Sequence, residues 1–257
     1  MRAIFLLTTL VTLTTSSPLT RQIASTCTLD PTFYDGLSTP NYYIANWASE
    51  VVEDAEQCSV VDTYDATSIS WHSTFSWEHS KFIRGNPNAG YTKFKKSDVY
   101  LHKSIPVSWE WDYEGTDVEA AVLFNLLGSG QGCPSMPSWV ISIWLGTYGT
   151  LTPNDGSGNL GTYIATTTIS SVEFDVYRVP RASLITYIFQ AKGNVKKFDG
   201  DLVPFVLWPR ENTEGGSQLR CIWQVQSGTE IWGGKEARFT TKKLKVQQNL
   251  SNGPVPT

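Results

Sequence analysis

The chain has 257 residues, 40% of them hydrophobic, with a formal net charge of -4 and a pI near 5.4. That length carries enough apolar surface for one sizeable core. The acidic balance, with basic residues clustered only in short runs such as Lys95-Lys96, Lys196-Lys197 and Lys242-Lys243, argues against a nucleic-acid partner and against an anionic membrane surface.

At the N-terminus, "MRAIFLLTTLVTLTTSS" joins a positive residue, an apolar stretch and a run of small residues, which reads as a secretory signal peptide over residues 1–17, with cleavage falling as late as about residue 25. The apolar stretch is too short to span a bilayer. Secretion makes disulfides plausible, and the four cysteines, Cys27, Cys58, Cys133 and Cys221, allow three pairings. The reading adopted here joins Cys27 to Cys58 and Cys133 to Cys221. With no C-x-x-C, and with His72, His79 and His102 in no ligand pattern with any cysteine, neither a metal nor another cofactor is expected.

Short alternating runs between Gly, Pro, Asn and Asp clusters follow, and they read as strands. "ISWHSTFSW" places Ile69, Trp71, Phe75 and Trp77 on one side, and "VSWEWDY" does the same with Val107, Trp109, Trp111 and Tyr113. Further strands are expected at residues 120–127, 139–145, 172–177, 183–191, 219–226 and 237–246. Residues 139–145 stand apart because both faces are largely apolar: Trp139, Ile141, Ile143 and Leu145 against Val140, Ser142 and Trp144. Something must therefore cover the Val140 side. A single short helix is expected at 201–208, with Asp201 as its cap and Pro209 at its end. Near the C-terminus Asn249-Leu250-Ser251 forms a glycosylation sequon. With no internal repeat or long linker, one all-β domain over 26–247 and a tail over 248–257 are expected, as a sandwich, barrel or jelly roll.

Ten tryptophans and eleven tyrosines exceed what core packing requires. Most of them fill the interior of a sandwich; some are expected on an exposed sheet face as flat platforms for sugar rings. Carbohydrate is thus the leading ligand class, with lectin, glycosidase and wall-binding module left open by composition.

Four stretches, "PVSWEWDYEG", "VLFNLL", "VISIWLGTYG" and "QVQSGTEIWGG", resemble glycoside hydrolase family twelve in order and spacing, over about residues 27–246. The family comprises secreted endo-β-1,4-glucanases and xyloglucanases. "SWHSTFSW" and the Cys27/Cys58 pair also sit where that family has an aromatic strand and an N-terminal disulfide. The resemblance implies an all-β jelly-roll sandwich of two curved antiparallel sheets, whose concave cleft binds a β-1,4-glucan such as cellulose, xyloglucan or mixed-linkage glucan.

It also implies retaining hydrolysis, in which one carboxylate attacks the anomeric carbon while a second protonates the leaving oxygen and later activates water. Glu230 matches the acid/base. The nucleophile position, in a pattern aromatic-Glu-aliphatic-Met-Ile-Trp-Leu, is occupied by Val140, with Ser142 in place of the methionine. Asn125 stands where the family carries a carboxylate that orients the nucleophile. No Asp or Glu occurs between Glu119 and Asp155, so a register slip restores nothing.

The signal peptide leads to the expectation of a secreted, extracellular protein, taken as a monomer, and these departures imply that it is hydrolytically inactive or severely impaired. It would bind β-glucan through Trp47, Trp71, Trp144 and Gln226, or act as a decoy for an extracellular protein inhibitor or receptor of active relatives. Two alternatives stand beside this one. The first is an active enzyme pairing Glu230 with another carboxylate, such as Asp112, Glu114 or Asp155, that holds a water; the second is a lectin-like module.

Overall fold

The computed structural model describes residues 24–27, 36–48, 56–181 and 184–251. The expected signal peptide lies outside them. Along the chain the strands are β1 (Ala24–Thr26), β2 (Gly36–Ser38), β3 (Tyr42–Ala48), β4 (Glu56–Tyr64), β5 (Ser68–Trp77), β6 (Gly85–Tyr91), β7 (Ser97–Asp98), β8 (His102–Ser104), β9 (Pro106–Ser129), β10 (Trp139–Tyr148), β11 (Thr162–Ile169), β12 (Val172–Arg181), β13 (Leu184–Ala191), β14 (Lys197–Asp201), β15 (Cys221–Val246) and β16 (Asn249–Leu250). Helix α1 (Val203–Asn212) lies between β14 and β15.

Two long strands build both layers of a jelly roll. β9 and β15 pair antiparallel from Ser129 opposite Cys221 to Val107 opposite Val246. The first half of β9 and the second half of β15 join β5, β4, β1 and β14 in the outer layer. Their other halves form the middle of the inner layer, flanked by β6, β3 and β2 on one side and by β10, β13, β12 and β11 on the other. Each long strand replaces two strands expected from the sequence, at 107–113 with 120–127 and at 219–226 with 237–246. The chain bends between layers without leaving the ladder, through positive φ at Gly115 and Asp117 in β9 and at Gly234 and Glu236 in β15. Gly115 has φ +137°, and a Cβ there would meet Ala237 at 2.7 Å, so glycine is required by both conformation and space.

Apolar alternation sets the core. Between the layers lie Trp71, Phe75, Trp109, Trp111, Phe124, Trp139, Ile141, Ile143 and Phe239, all buried. Burying a side chain of this size contributes about 1.5–3 kcal/mol each. Both expected disulfides form: Cys27–Cys58 ties the end of β1 to β4, and Cys133–Cys221 ties the β9–β10 connection to the start of β15.

Three details differ from the sequence expectation. β10 and β13 run parallel within an otherwise antiparallel arrangement, because β13 enters the inner layer after β11 and β12 have been laid down outside it. The helix starts at Val203 and carries Pro209 inside its last turns; Asp201 lies outside it, its Oδ1 accepting from the backbone N–H groups of Ile105 and Val203 at 2.7 and 3.1 Å. The segment after 247 pairs at once, with Asn249 opposite Ser104 and Leu250 opposite His102. No helix among the described residues is long and apolar enough to cross a membrane.

Candidate active-site cleft

The inner layer has a face turned away from the core, and strand register arranges it in rows. Gln226 of β15 lies opposite Asn125 of β9, which lies opposite Ser142 of β10. One row along, Asn88 of β6, Gly228, Leu123 and Trp144 follow one another across four strands. Leu127, Val140 and Thr186 form a third row, and Glu230 lies opposite Ala121. Alternation puts all of these side chains on one side, since their odd-even neighbours Val122, Phe124, Leu126, Ile141 and Ile143 belong to the core. Gly228 lets β6 close on β15: a Cβ there would lie 2.2 Å from the Pro87 carbonyl oxygen.

Glu230 is 9% exposed and Val140 7% exposed. They share this face on strands separated by β9, Glu230 at the level of Ala121 and Val140 at the level of Leu127. Asn125 and Ser142 are buried between them. Ser142 Oγ accepts from Trp144 Nε1 at 3.1 Å. Gln226 is half-buried, and its Nε2 donates to the Tyr43 hydroxyl at 3.1 Å. Trp47, on β3, is half-buried against a small apolar cluster of Ile83, Leu123, Trp144, Val179 and Trp232.

Two expected sugar platforms are not open surfaces. Trp71 is 0% exposed and packs edge-on against Phe239 with ring centroids 5.4 Å apart. It belongs to β5 of the outer layer, so its apolar face points to the interior and never to the cleft. Trp144 does lie on the cleft face, but it is 1% exposed, packed against Trp232 at 6.1 Å and covered by Ile83, Val179 and Ile188. This cluster covers the second apolar face of β10 at Trp144.

The alternative carboxylates are also distributed. Asp112 sits on the outer layer between Lys196 Nζ at 2.7 Å and Lys242 Nζ at 3.4 Å; the Lys196 hydrogen bond, foremost, holds its carboxyl below the usual range. Glu114 is exposed opposite Arg238. Asp155 closes its own loop, with Oδ1 accepting from Ser157 and Asn159. Sequence reasoning passed over Glu119. It lies two residues before Ala121 on the same face of β9, and its Oε2 is 2.9 Å from His79 Nδ1. Only the bend of β9 into the inner layer brings it there.

The cleft face also carries buried polar atoms without a hydrogen-bond partner: Asn88 Oδ1, Asn125 Oδ1, Thr186 Oγ1 and Trp232 Nε1. Such atoms are costly in a fold. Among the described residues no three His, Cys, Asp or Glu side chains are grouped to hold a metal ion.

Residues 41–249 match the family model described as glycosyl hydrolase family 12. The chain belongs to glycosyl hydrolase family 12. It is 33% identical over 217 residues to xyloglucan-specific endo-beta-1,4-glucanase A of Emericella nidulans, covering 83% of this chain and 88% of that protein. With the enzyme of the same name from Aspergillus niger it shares 29% over 201 residues, 78% of this chain and 81% of the other. Among solved structures, endoglucanase 3 of Trichoderma harzianum superposes with a TM-score of 0.78 at 21% identity, covering 89% of this chain and 99% of that one. This last likeness supports the fold; the sequence relatives and the family match carry the membership. In this family 12 chain Glu230, Gln226, Trp47, Val140 and Asn125 thus share the cleft face.

Proposed function

We propose that this chain is a secreted family 12 protein that binds a β-1,4-glucan, xyloglucan foremost, and that it has lost retaining hydrolysis. The observation that carries the reading is Val140: an alkyl side chain on the cleft face, flanked by Leu127 and Thr186, offers no lone pair to an anomeric carbon. Glycosyl transfer to the protein therefore has no acceptor, and loss of a covalent nucleophile costs several orders of magnitude in rate. Asn125 fits the same loss, because a carboxylate oriented toward a valine would be a buried charge without a partner. Binding does not depend on the missing group. Trp47 and Gln226, both half-buried, remain to meet sugar ring faces and hydroxyls. The names of the two fungal relatives favour xyloglucan over cellulose. A scaffold that holds the shape without the chemistry also suits a decoy for an extracellular inhibitor of active relatives.

Glu119 favours a second reading. It lies two residues along β9 from Ala121, the residue opposite Glu230; inverting hydrolysis would need the two carboxyl groups roughly 6.5–9.5 Å apart. On that route water attacks the anomeric carbon, Glu119 takes its proton, and Glu230 delivers a proton to the departing glycosidic oxygen. His79 would hold Glu119 in place through the 2.9 Å contact.

The deciding experiment measures reducing-end release on xyloglucan, carboxymethyl cellulose and mixed-linkage glucan by the mature protein and its Glu230→Gln variant, with pull-down on insoluble glucan in parallel. Binding without release in either protein is the expected result. Release that Glu230→Gln abolishes overturns the inactive reading; release abolished equally by Glu119→Gln, with an inverted anomer in the NMR spectrum, establishes the second.

A further inference from the structure

Beyond the Gln226 end of the cleft lies a cavity of about 410 Å³ lined by Tyr43, Tyr91, Phe94, Lys96, Trp223 and Gln224. Its size falls within the range of small-ligand sites, about 300–1,000 Å³. The backbone builds it deliberately. Ile222 pairs with Gly128 and Gln224 with Leu127, so Trp223 is the extra residue of a β-bulge. A bulge re-aims the side chain it carries, and here it brings Trp223 to the same pocket as Gln224. The indole is then fixed from two directions: its Nε1 donates to Ser129 Oγ at 2.8 Å, and Lys96 Nζ sits 3.9 Å from the ring centroid while donating to the Pro134 carbonyl at 2.8 Å.

The polar side of the pocket is joined to the cleft. The Tyr43 hydroxyl accepts from the side-chain amides of both Gln224 and Gln226, and Gln226 stands in the row with Asn125 and Ser142. Each glutamine amide spends one of its two N–H groups on Tyr43, which leaves the Tyr43 O–H and one N–H of each glutamine as donors and the two glutamine carbonyls as acceptors. Burial pushes the Tyr43 hydroxyl up against the lowering effect of its two glutamine partners, so it stays a donor at neutral pH. Several donors, two acceptors and an aromatic wall in one pocket match a pyranose, which has hydroxyls on its rim and an apolar C–H face.

We propose that this pocket is a saccharide subsite continuous with the cleft, taking one pyranosyl unit of the bound β-glucan, either the next backbone glucose or a sugar branched from it. The inference rests on the glucan-binding reading. Its test is calorimetric titration of the mature protein and of its Trp223→Ala, Tyr43→Phe and Gln224→Ala variants, each first checked for a wild-type melting curve, with cellohexaose and with a xylosylated cellotetraose. At least a tenfold weakening in every folded variant is expected. Weakening on both sugars assigns a backbone glucose, and weakening confined to the xylosylated sugar assigns a branch. Wild-type protein that binds while the folded variants bind equally well overturns the subsite alone. Wild-type protein that binds neither sugar overturns the glucan reading and the subsite together.

Discussion

Ser142 Oγ accepts a hydrogen bond from Trp144 Nε1 at 3.1 Å, between two side chains on the same face of one strand. Both are buried, so the bond satisfies an indole N–H that has no water to turn to. Ser142→Ala should leave that donor buried and unpaired, at a cost of about 1–3 kcal/mol. Urea unfolding monitored by tryptophan fluorescence reads it; an unchanged midpoint would show that Trp144 finds another acceptor.

Trp47 and Trp71 should behave as opposites. Trp71 lies in the core, and Trp71→Ala is expected to cost about 3–5 kcal/mol of stability. Trp47→Ala, at the half-buried rim of the cleft, should weaken pull-down on insoluble xyloglucan while shifting the melting temperature little. If Trp71→Ala melts like wild type and loses glucan, the assignment of the two faces is wrong.

Restoring the carboxylates tests whether Val140 alone separates this cleft from a hydrolytic one. Val140→Glu with Asn125→Asp should raise xyloglucan hydrolysis by on the order of a hundredfold or more. A covalent adduct with a 2-fluoro cellobioside should then appear by mass spectrometry. Val140→Glu introduces a buried carboxylate beside Leu127, so both the single and the double variant should melt below wild type. An inert double variant would place the defect in more than these two positions.

The two disulfides close loops of different length, 31 residues for Cys27–Cys58 and 88 for Cys133–Cys221. In the chain-entropy picture the longer loop contributes about 4–5 kcal/mol and the shorter somewhat less. Replacing Cys133 and Cys221 by serine should therefore lower the denaturation midpoint more than replacing Cys27 and Cys58. The reverse order would mean that native-state contacts around the first bridge outweigh loop entropy.

Acid should loosen the loop after β10. Burial by itself raises the Asp155 carboxyl, but hydrogen bonds from Asn159 and Ser157 outweigh it and hold the group at about 2. A lowered carboxyl stabilises the fold fully above its unfolded value near 3.8, and that contribution is lost as the pH falls toward 2. Wild type and Asp155→Asn should differ in melting temperature at pH 6 and converge near pH 2. A constant difference would rule out the ionised carboxylate as the cause.

Much of this protein is local information. Alternation along 107–113 and 237–246 marked the strands, because a half-buried strand must repeat every two residues. The order of "VLFNLL", "VISIWLGTYG" and "QVQSGTEIWGG" carried the family, and with it Glu230, Val140 and Asn125 as positions to examine. Cysteine pairing was also within reach of the sequence.

The layer to which each strand belongs was not, since alternation says that one face is apolar without saying which sheet it serves. Hence Trp71 reads like a sugar platform and lies in the core. Trp144 faces the cleft but is covered by Trp232 and Ile83, residues far from it in the chain. Gly115 and Gly234 look like turns yet bend two continuous strands from layer to layer, which is how Glu119 reaches the face of Glu230 and how Trp223, on a bulge, joins Tyr43. Residue types and periods are written along the chain; which of them meet is decided by register and bend, because those depend on pairing across the whole sheet.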